Sequence, residues 1–263
     1  MTLTGIESHT IQTYHTDRFG LASPSTFASF FEEAAANNAA LHGFPGEALY
    51  EQGIAWVLSR LSFTVDRYPS VGETITVKTW PSSHTSTVAL RCFEVFDEAE
   101  HLIAEGTTGW LVIDIARRKM MPVPSFVTEH YPEGNPPCKE FPTRVVPRLR
   151  SPKHTMVFTS RKADIDIMGH VNNVRYISWI HESVPEKFLA AHEPVLIDIS
   201  YRHECDSVTT LGSQTGYTED GDTLHSIVHT ETGRELCRAR TEWRKRRTVS
   251  GPYGTGTTRN SDE

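Results

Sequence analysis

Between Ser23 and Gly43 the apolar positions Phe27, Phe30, Phe31, Ala34, Ala35 and Leu41 recur close to a helical period. Ser23 or Ser25 suits the start, Pro24 the first turn and Gly43 the stop. The spacing predicts one amphipathic helix. A short strand is expected before it, near residues 10–14. After it, residues 54–68, 73–83, 85–99 and 102–116 read as strands, separated by turn signals at 69–72, 81–84 and 97–101. Residues 129–151 then carry five prolines and no steady period, the pattern of a linker or of a chain wrapping over a surface. Beyond them the order restarts. Residues 153–160 read as a strand and 172–192 as a single helix with Val174, Ile177, Ile180 and Val184 along one stripe. Residues 193–204, 206–218, 222–232 and 235–246 read as strands, the middle pair joined at Asp220 and Gly221.

The restart holds register. Asp17 and Asp166 are 149 positions apart, as are Gly20 and Gly169, Phe30 and Trp179, and Glu33 and Glu182. The offset falls to 136 for Phe63 and Ile199 and for Tyr68 and Glu204, and to 133 for Trp110 and Trp243. A degenerate tandem duplication keeps its spacing inside elements and changes it at loops. The expected fold is therefore α+β, two tandem hotdog domains, each a curved antiparallel sheet wrapped around one long helix. The boundaries are an N-terminal domain at 1–128, a linker at 129–151, a C-terminal domain at 152–247 and a disordered tail at 248–263.

Composition adds limits. The hydrophobic content of 38% and net charge of −7 describe a globular chain with no electrostatic footprint for nucleic acid. No run of about 18 apolar residues predicts a membrane span, and the N-terminus lacks a basic start with an apolar core, so a cytoplasmic location is expected. Cys92, Cys138, Cys205 and Cys237 show neither CxxC pairs nor zinc spacing and are read as reduced thiols.

The stretch DIDIMGHVNNVRYISWI, residues 164–180, crowds acids, a histidine and two asparagines before an apolar helix. DIDIMGHVNNVRYISWIHESVPEKF and ISYRHECDSV resemble the second-domain motifs of the acyl-acyl carrier protein thioesterases, and WVLSRLSFTVDRYPSVGETITVKTWP resembles the corresponding first-domain segment. The resemblance covers most of residues 1–248 and implies hydrolysis of the thioester between a fatty acyl chain and acyl carrier protein, without metal or other cofactor. It implies Asp166 and His170 as catalytic residues and matches Glu204 and Cys205 to the acid and cysteine of the second motif. Glu204 is read as general base on water, with Asp166 and His170 orienting the site. Asp166 as base or nucleophile remains open, and a nucleophilic Cys205 is a weaker third reading.

Backbone amides around residues 169–173, at a helix start, are expected to hold the oxyanion, with Gly169 allowing close approach and Asn172 supporting. The plainer alternatives are a helix cap at Asn172 or Asn173, a turn acid at Asp164, and a Glu204 paired with Arg202 or Arg175. Met168 stands where the family has asparagine, in a form that resembles single-domain thioesterases acting on coenzyme A esters.

In the first half Leu21 and Tyr68 replace His170 and Glu204, so Asp17 lacks partners and that half is expected to be non-catalytic. Phe27, Phe30, Phe31, Trp56 and Met168 are the candidate substrate contacts. The expected partner is acyl carrier protein bearing a fatty acyl thioester. The basic run 244–247, with Arg148, Lys153, Arg161 and Lys162, is a candidate docking surface for this acidic protein. A homodimer is left open. An acyl-coenzyme A thioesterase and a non-catalytic acyl-binding module are the alternative functions.

Overall fold

The computed structural model describes residues 3–43, 46–128 and 135–246. The expected tail at 248–263, Arg247 and the first part of the linker lie outside the described residues. The first half runs β1 (Gly5–Thr10), α1 (Pro24–Leu41), α2 (Gly46–Glu51), β2 (Ile54–Val65), β3 (Thr74–His84), β4 (Val88–Phe96), β5 (Leu102–Asp114), β6 (Lys119–Met121) and α3 (Ser125–Thr128). The second runs β7 (His154–Thr159), α4 (Asn173–Trp179), α5 (Glu186–Ala191), β8 (His192–Tyr201), β9 (Thr210–Tyr217), β10 (Thr223–His229) and β11 (Glu235–Lys245).

Among the described residues the strands form one antiparallel sheet in the order β1-β3-β4-β5-β2-β8-β11-β10-β9-β7, with β6 added beside β5. Each half is the expected α+β hotdog unit. The two half-sheets join where β2 pairs with β8, Leu61 opposite Ile199 and Phe63 opposite Ile197. These four side chains are buried in a single apolar cluster that also holds Phe27 and Phe31 of α1 and Ile177 and Ile180 from the α4 region. Full burial of each such side chain is worth about 1.5–3 kcal/mol. The core is thus continuous across the duplication.

The opposite face of the seam carries a buried ion pair. Arg60 on β2 donates from Nε to Asp198 Oδ1 at 2.8 Å and from Nη2 to Oδ2 at 2.6 Å, and Asp198 is 1% exposed. Arg60 Nη1 also donates to the Arg144 carbonyl, and the guanidinium lies 4.2 Å from the Phe141 ring centroid. Residues 135–150 form a strap over this face. Trp80 Nε1 donates to Pro136 O at 2.9 Å, and Thr107 Oγ1 to Lys139 O at 2.7 Å. The strap reaches β9 at Gly216, where a Cβ would stand 2.6 Å from Leu149 Cδ1 and 3.0 Å from the Ser151 carbonyl oxygen. Glycine is required there by close approach.

Three expectations need correction. Cys92 and Cys138 form a disulfide with their Cα atoms 5.0 Å apart, while Cys205 and Cys237 are free and buried. The strap joins cysteines too distant in sequence for a spacing rule to pair, and the pairing removes the reduced-thiol ground for a cytoplasmic location. The first strand lies at Gly5–Thr10, held against β3, and a 3-10 turn occupies Thr13–His15. The single helix expected over 172–192 is broken: α4 ends at Trp179, and tight bonds such as Val184 N–H to His181 O lead to Pro185, which caps α5. Proline has no N–H to continue a helix and pushes its predecessor out of helical conformation. Among the described residues no helix is long and apolar enough to cross a membrane.

Asp198→Ala leaves Arg60 unpaired and is expected to cost about 3–5 kcal/mol in urea unfolding. Cys138→Ser releases one anchor of the strap and is expected to cost about 2–4 kcal/mol in the same measurement.

Candidate active site

Asp166 opens a tight turn before α4. Its N–H donates to His170 O at 2.8 Å and Gly169 N–H donates to Asp166 O at 3.0 Å. Its Oδ1 accepts from Met168 N–H at 2.9 Å and from His170 N–H at 3.4 Å. The first half builds the same turn: Asp17 N–H donates to Leu21 O, Gly20 N–H to Asp17 O, and Asp17 Oδ1 accepts from Phe19 and Leu21 N–H. Gly20 and Gly169 have φ of 73° and 80°, the left-handed region that favours glycine. A Cβ on Gly169 would meet nothing within 4 Å, so the chain's own demand there is backbone conformation and not close approach. The aspartate common to both turns is therefore a turn-former first, with one oxygen engaged by backbone amides.

The expected oxyanion donors are engaged as well. Gly169 N–H and His170 N–H serve the turn, Val171 N–H donates to Cys205 O, and Asn172 N–H donates to Asp164 O. Asn172 caps α4, its Oδ1 accepting from Val174 N–H at 2.8 Å. This corrects, for residues 169–172, the expectation that the amides of 169–173 are free to hold an oxyanion.

His170 and Glu204 do meet. Nε2 of His170 lies 3.6 Å from Oε2 of Glu204, and both side chains are about one-third exposed, at 34% and 36%. Arg118 of the β5–β6 turn donates to the same Oε2 at 2.8 Å. The alternative partners of Glu204 are occupied elsewhere, Arg202 with Glu235 at 3.5 Å and Arg175 with Asp164 at 3.3 Å. Cys205 is buried with its Sγ toward Ser207 O, and burial pushes its thiol pKa up, which disfavours the thiolate a nucleophile needs. Met168 is half exposed and joins the turn only through its backbone N–H, which any residue supplies, so loss of an asparagine there leaves the turn intact.

An apolar cavity of about 230 Å³ lies in the first half. It runs beside α1 from Glu32 past Ala35, Ala36 and Ala39, with Trp56 and Trp110 on its wall. Trp56 is where a substrate contact was expected, and Phe27, Phe30 and Phe31 are not. Phe27 and Phe31 are 1% exposed and Phe31 stacks on Phe93 at 4.6 Å, while Phe30 stacks on His9 at 4.2 Å; all three face the closed core.

Glu32 was missed. Its Oε1 is buried with no hydrogen-bond partner within the chain, and burial first, then the Asp166 charge, raises its pKa to about 7, partly offset by the Asn173 amide. A signal existed: Ala28 and Ala35, at i−4 and i+3, put Glu32 in phase with the buried stripe. Arg118 had none, since its approach depends on a turn with φ of 50° that brings the two halves together.

The second half differs at the equivalent positions. His181, at the position equivalent to Glu32, contacts Thr241 at 3.3 Å. His225 contacts Thr215, Thr223 and Thr241, and Trp243 Nε1 donates to Thr223. Burial drives His181 down to about 4, so it stands neutral among hydroxyls. The first half in turn lacks the dyad. Tyr68 is buried and donates to Pro194 O, Leu21 is in the core, and Asp17 faces Arg246 at 3.5 Å. Arg246 also donates to Leu189 O, and Arg244 pairs with Glu193 at 2.7 Å, so both of these docking candidates have partners within the chain. Among the described residues no group of three or more His, Cys, Asp or Glu is placed to hold a metal ion.

The acyl-ACP thioesterase N-terminal domain model matches residues 5–131 and the C-terminal domain model residues 150–245. The chain is 27% identical over 268 residues to the chloroplastic palmitoyl-acyl carrier protein thioesterase of Cuphea hookeriana, covering 95% of this chain and 65% of that protein. It is 27% identical over 274 residues to oleoyl-acyl carrier protein thioesterase 1 of Arabidopsis thaliana, covering 91% of this chain and 76% of that one. The fold superposes on the 12:0-ACP thioesterase from Umbellularia californica with a TM-score of 0.84 at 24% identity, over 94% of this chain and 99% of that one. Two domain models, matched in order along a chain whose halves share one turn and one sheet, place this protein in the acyl-ACP thioesterase family.

Proposed function

We propose that the protein hydrolyses fatty acyl thioesters of acyl carrier protein and releases the free fatty acid. One observation carries the reading: the apolar cavity of the first half is lined in part by Glu32, whose electrostatic neighbours, Asp166 and Asn173, flank His170 in the second. An acyl chain lying along α1 would present its thioester to that turn. The palmitoyl and oleoyl substrates in the relatives' names support a fatty acyl chain.

In this reading Asp166 shapes the turn, and Glu204, steadied by Arg118, accepts a proton from water as its oxygen attacks the carbonyl carbon. The tetrahedral intermediate collapses with cleavage of the C–S bond. The proton passes through His170 to the departing sulfur, so the products are acid and thiol and Glu204 is restored. Both oxygens of the new carboxyl group then derive from the thioester carbonyl and water.

The rim of the site supports a protein-borne substrate. Arg117 and Arg118 have side chains 80% and 74% exposed, and the latter's contact with Glu204 brings their turn to the His170 edge. Ile167 is 97% exposed beside it and Met120 is 57% exposed. Basic and apolar groups together suit an acidic carrier. Met168 keeps coenzyme A esters as a second reading. The catalytic unit is read as one chain, because each half supplies what the other lacks; no second subunit is needed for the chemistry.

Purified protein is expected to turn over C12–C18 acyl-carrier-protein esters faster than the matching coenzyme A esters. Glu204→Ala and His170→Ala should each lower kcat by about 10²–10⁴-fold, the usual worth of a positioned acid or base. Faster coenzyme A turnover would favour the second reading, and tight acyl binding without turnover a binding module. Arg117→Glu with Lys119→Glu is expected to raise KM for carrier-protein esters about tenfold, an effect that fades with salt and spares coenzyme A esters.

A further inference from the structure

Glu32 is a carboxyl group whose Oε1 is buried without a hydrogen-bond partner, while the Asn173 side chain bonds the carboxyl, at a junction of two functional parts. It belongs to the cavity wall, and it lies close enough to Asp166 and Asn173 for both to act on it. Buried polar atoms are nearly always satisfied, and an orphan aimed into a cavity points to a ligand atom that completes it. The equivalent position in the second half makes the contrast. His181 there is met by Thr241. The amides of residues 169–172, which could otherwise have held a developing oxyanion, are occupied by Asp166, Cys205 and Asp164.

We propose that Glu32, as the neutral carboxylic acid, donates a hydrogen bond to the thioester carbonyl oxygen and is a catalytic residue of the reaction proposed above, on which this inference rests. The acid gains and loses no proton over a turnover. It strengthens its hydrogen bond as charge develops on the carbonyl oxygen and relaxes when the C–S bond breaks, while the water proton travels by Glu204 and His170. A carboxylate in the same place would repel that charge.

The surroundings favour the neutral form. Asp166 from the α4 turn raises the Glu32 pKa. Tyr201 of β8 donates its hydroxyl to Asn173 O and is held strongly neutral by burial. Arg91 of β4, on the cavity wall, interacts with Asn38 at 2.8 Å. On β1, Glu7 and His9 face each other at 3.3 Å, and on β3 Lys78 lies over Phe96. His42 closes the far end of α1, and Glu51 of α2 is exposed. An apolar chain entering the cavity removes further water from Glu32 and raises its pKa beyond about 7. The free enzyme should therefore lose its active form as pH rises through about 7, and the acyl complex at higher pH.

The test compares pH profiles of wild type, Glu32→Gln and Glu32→Ala with lauroyl- and palmitoyl-acyl carrier protein. In the wild type kcat/KM should fall about tenfold per pH unit above the transition, with the fall in kcat displaced upward. Glu32→Gln, whose amide donates at any pH, should keep activity within severalfold and lose that limb. Glu32→Ala should be slowed 10²–10³-fold at every pH, the loss typical of one oxyanion donor. A dead Glu32→Gln would show that the ionised form is needed and overturn the proposal, as would identical profiles in wild type and Glu32→Gln.

A second measurement needs no turnover. Calorimetry at pH 8, in two buffers of different ionisation heat, follows binding of a dodecanoyl-pantetheine amide that cannot be cleaved. Uptake of close to one proton by the wild type and none by Glu32→Gln is expected. If no variant hydrolyses any ester but this difference appears, the hydrolase reading fails and the carbonyl contact stands. Equal uptake, or no binding, overturns the contact itself.

Discussion

The pairing of β2 with β8 is the constraint on which the rest of the molecule depends. It places Leu61 and Phe63 against Ile199 and Ile197, so the core continues through the seam, and it sets Arg60 against Asp198 on the other face. A seam that merely juxtaposed two finished domains would leave α1 and α4 independent. Here the side chains of both helices belong to one buried cluster. A displacement at the seam would therefore reach both helices through packed side chains, since dense interiors transmit strain.

That coupling explains how a site can be assembled from groups far apart in sequence. In the proposed site Glu32 and Arg118 come from the first half, Asp166, His170 and Glu204 from the second, and the shared sheet relates all five. The duplicated aspartate turn shows how the halves diverged. Both keep the Asp and the left-handed glycine because both need the same backbone path. Only the second surrounds it with histidine and glutamate, while the first buries Leu21 and Tyr68 at the equivalent places.

Much of this was legible in the chain. The restart of the hydrophobic pattern and the constant offsets within elements gave the duplication, because packing forbids slippage inside a helix or strand. The pairing of His170 with Glu204 was legible through motif alone. What was not legible depended on distant approach: the Cys92–Cys138 bond across the strap, the reach of Arg118 and the orphaned state of Glu32. The helix stripe also misdirected. Phe27, Phe30 and Phe31 mark the face of α1 that meets core side chains. The cavity borders positions filled by alanine, because small side chains leave room. An apolar period locates a buried face, whereas emptiness beside a helix is marked by the lack of bulk.

The position equivalent to Glu32 on the cavity wall holds His181, which is tied into a histidine and hydroxyl network in the second half. The two copies have thus put equivalent positions to different use. A site drawn from both copies, as proposed, ties them to one chain: neither half could be lost without the other.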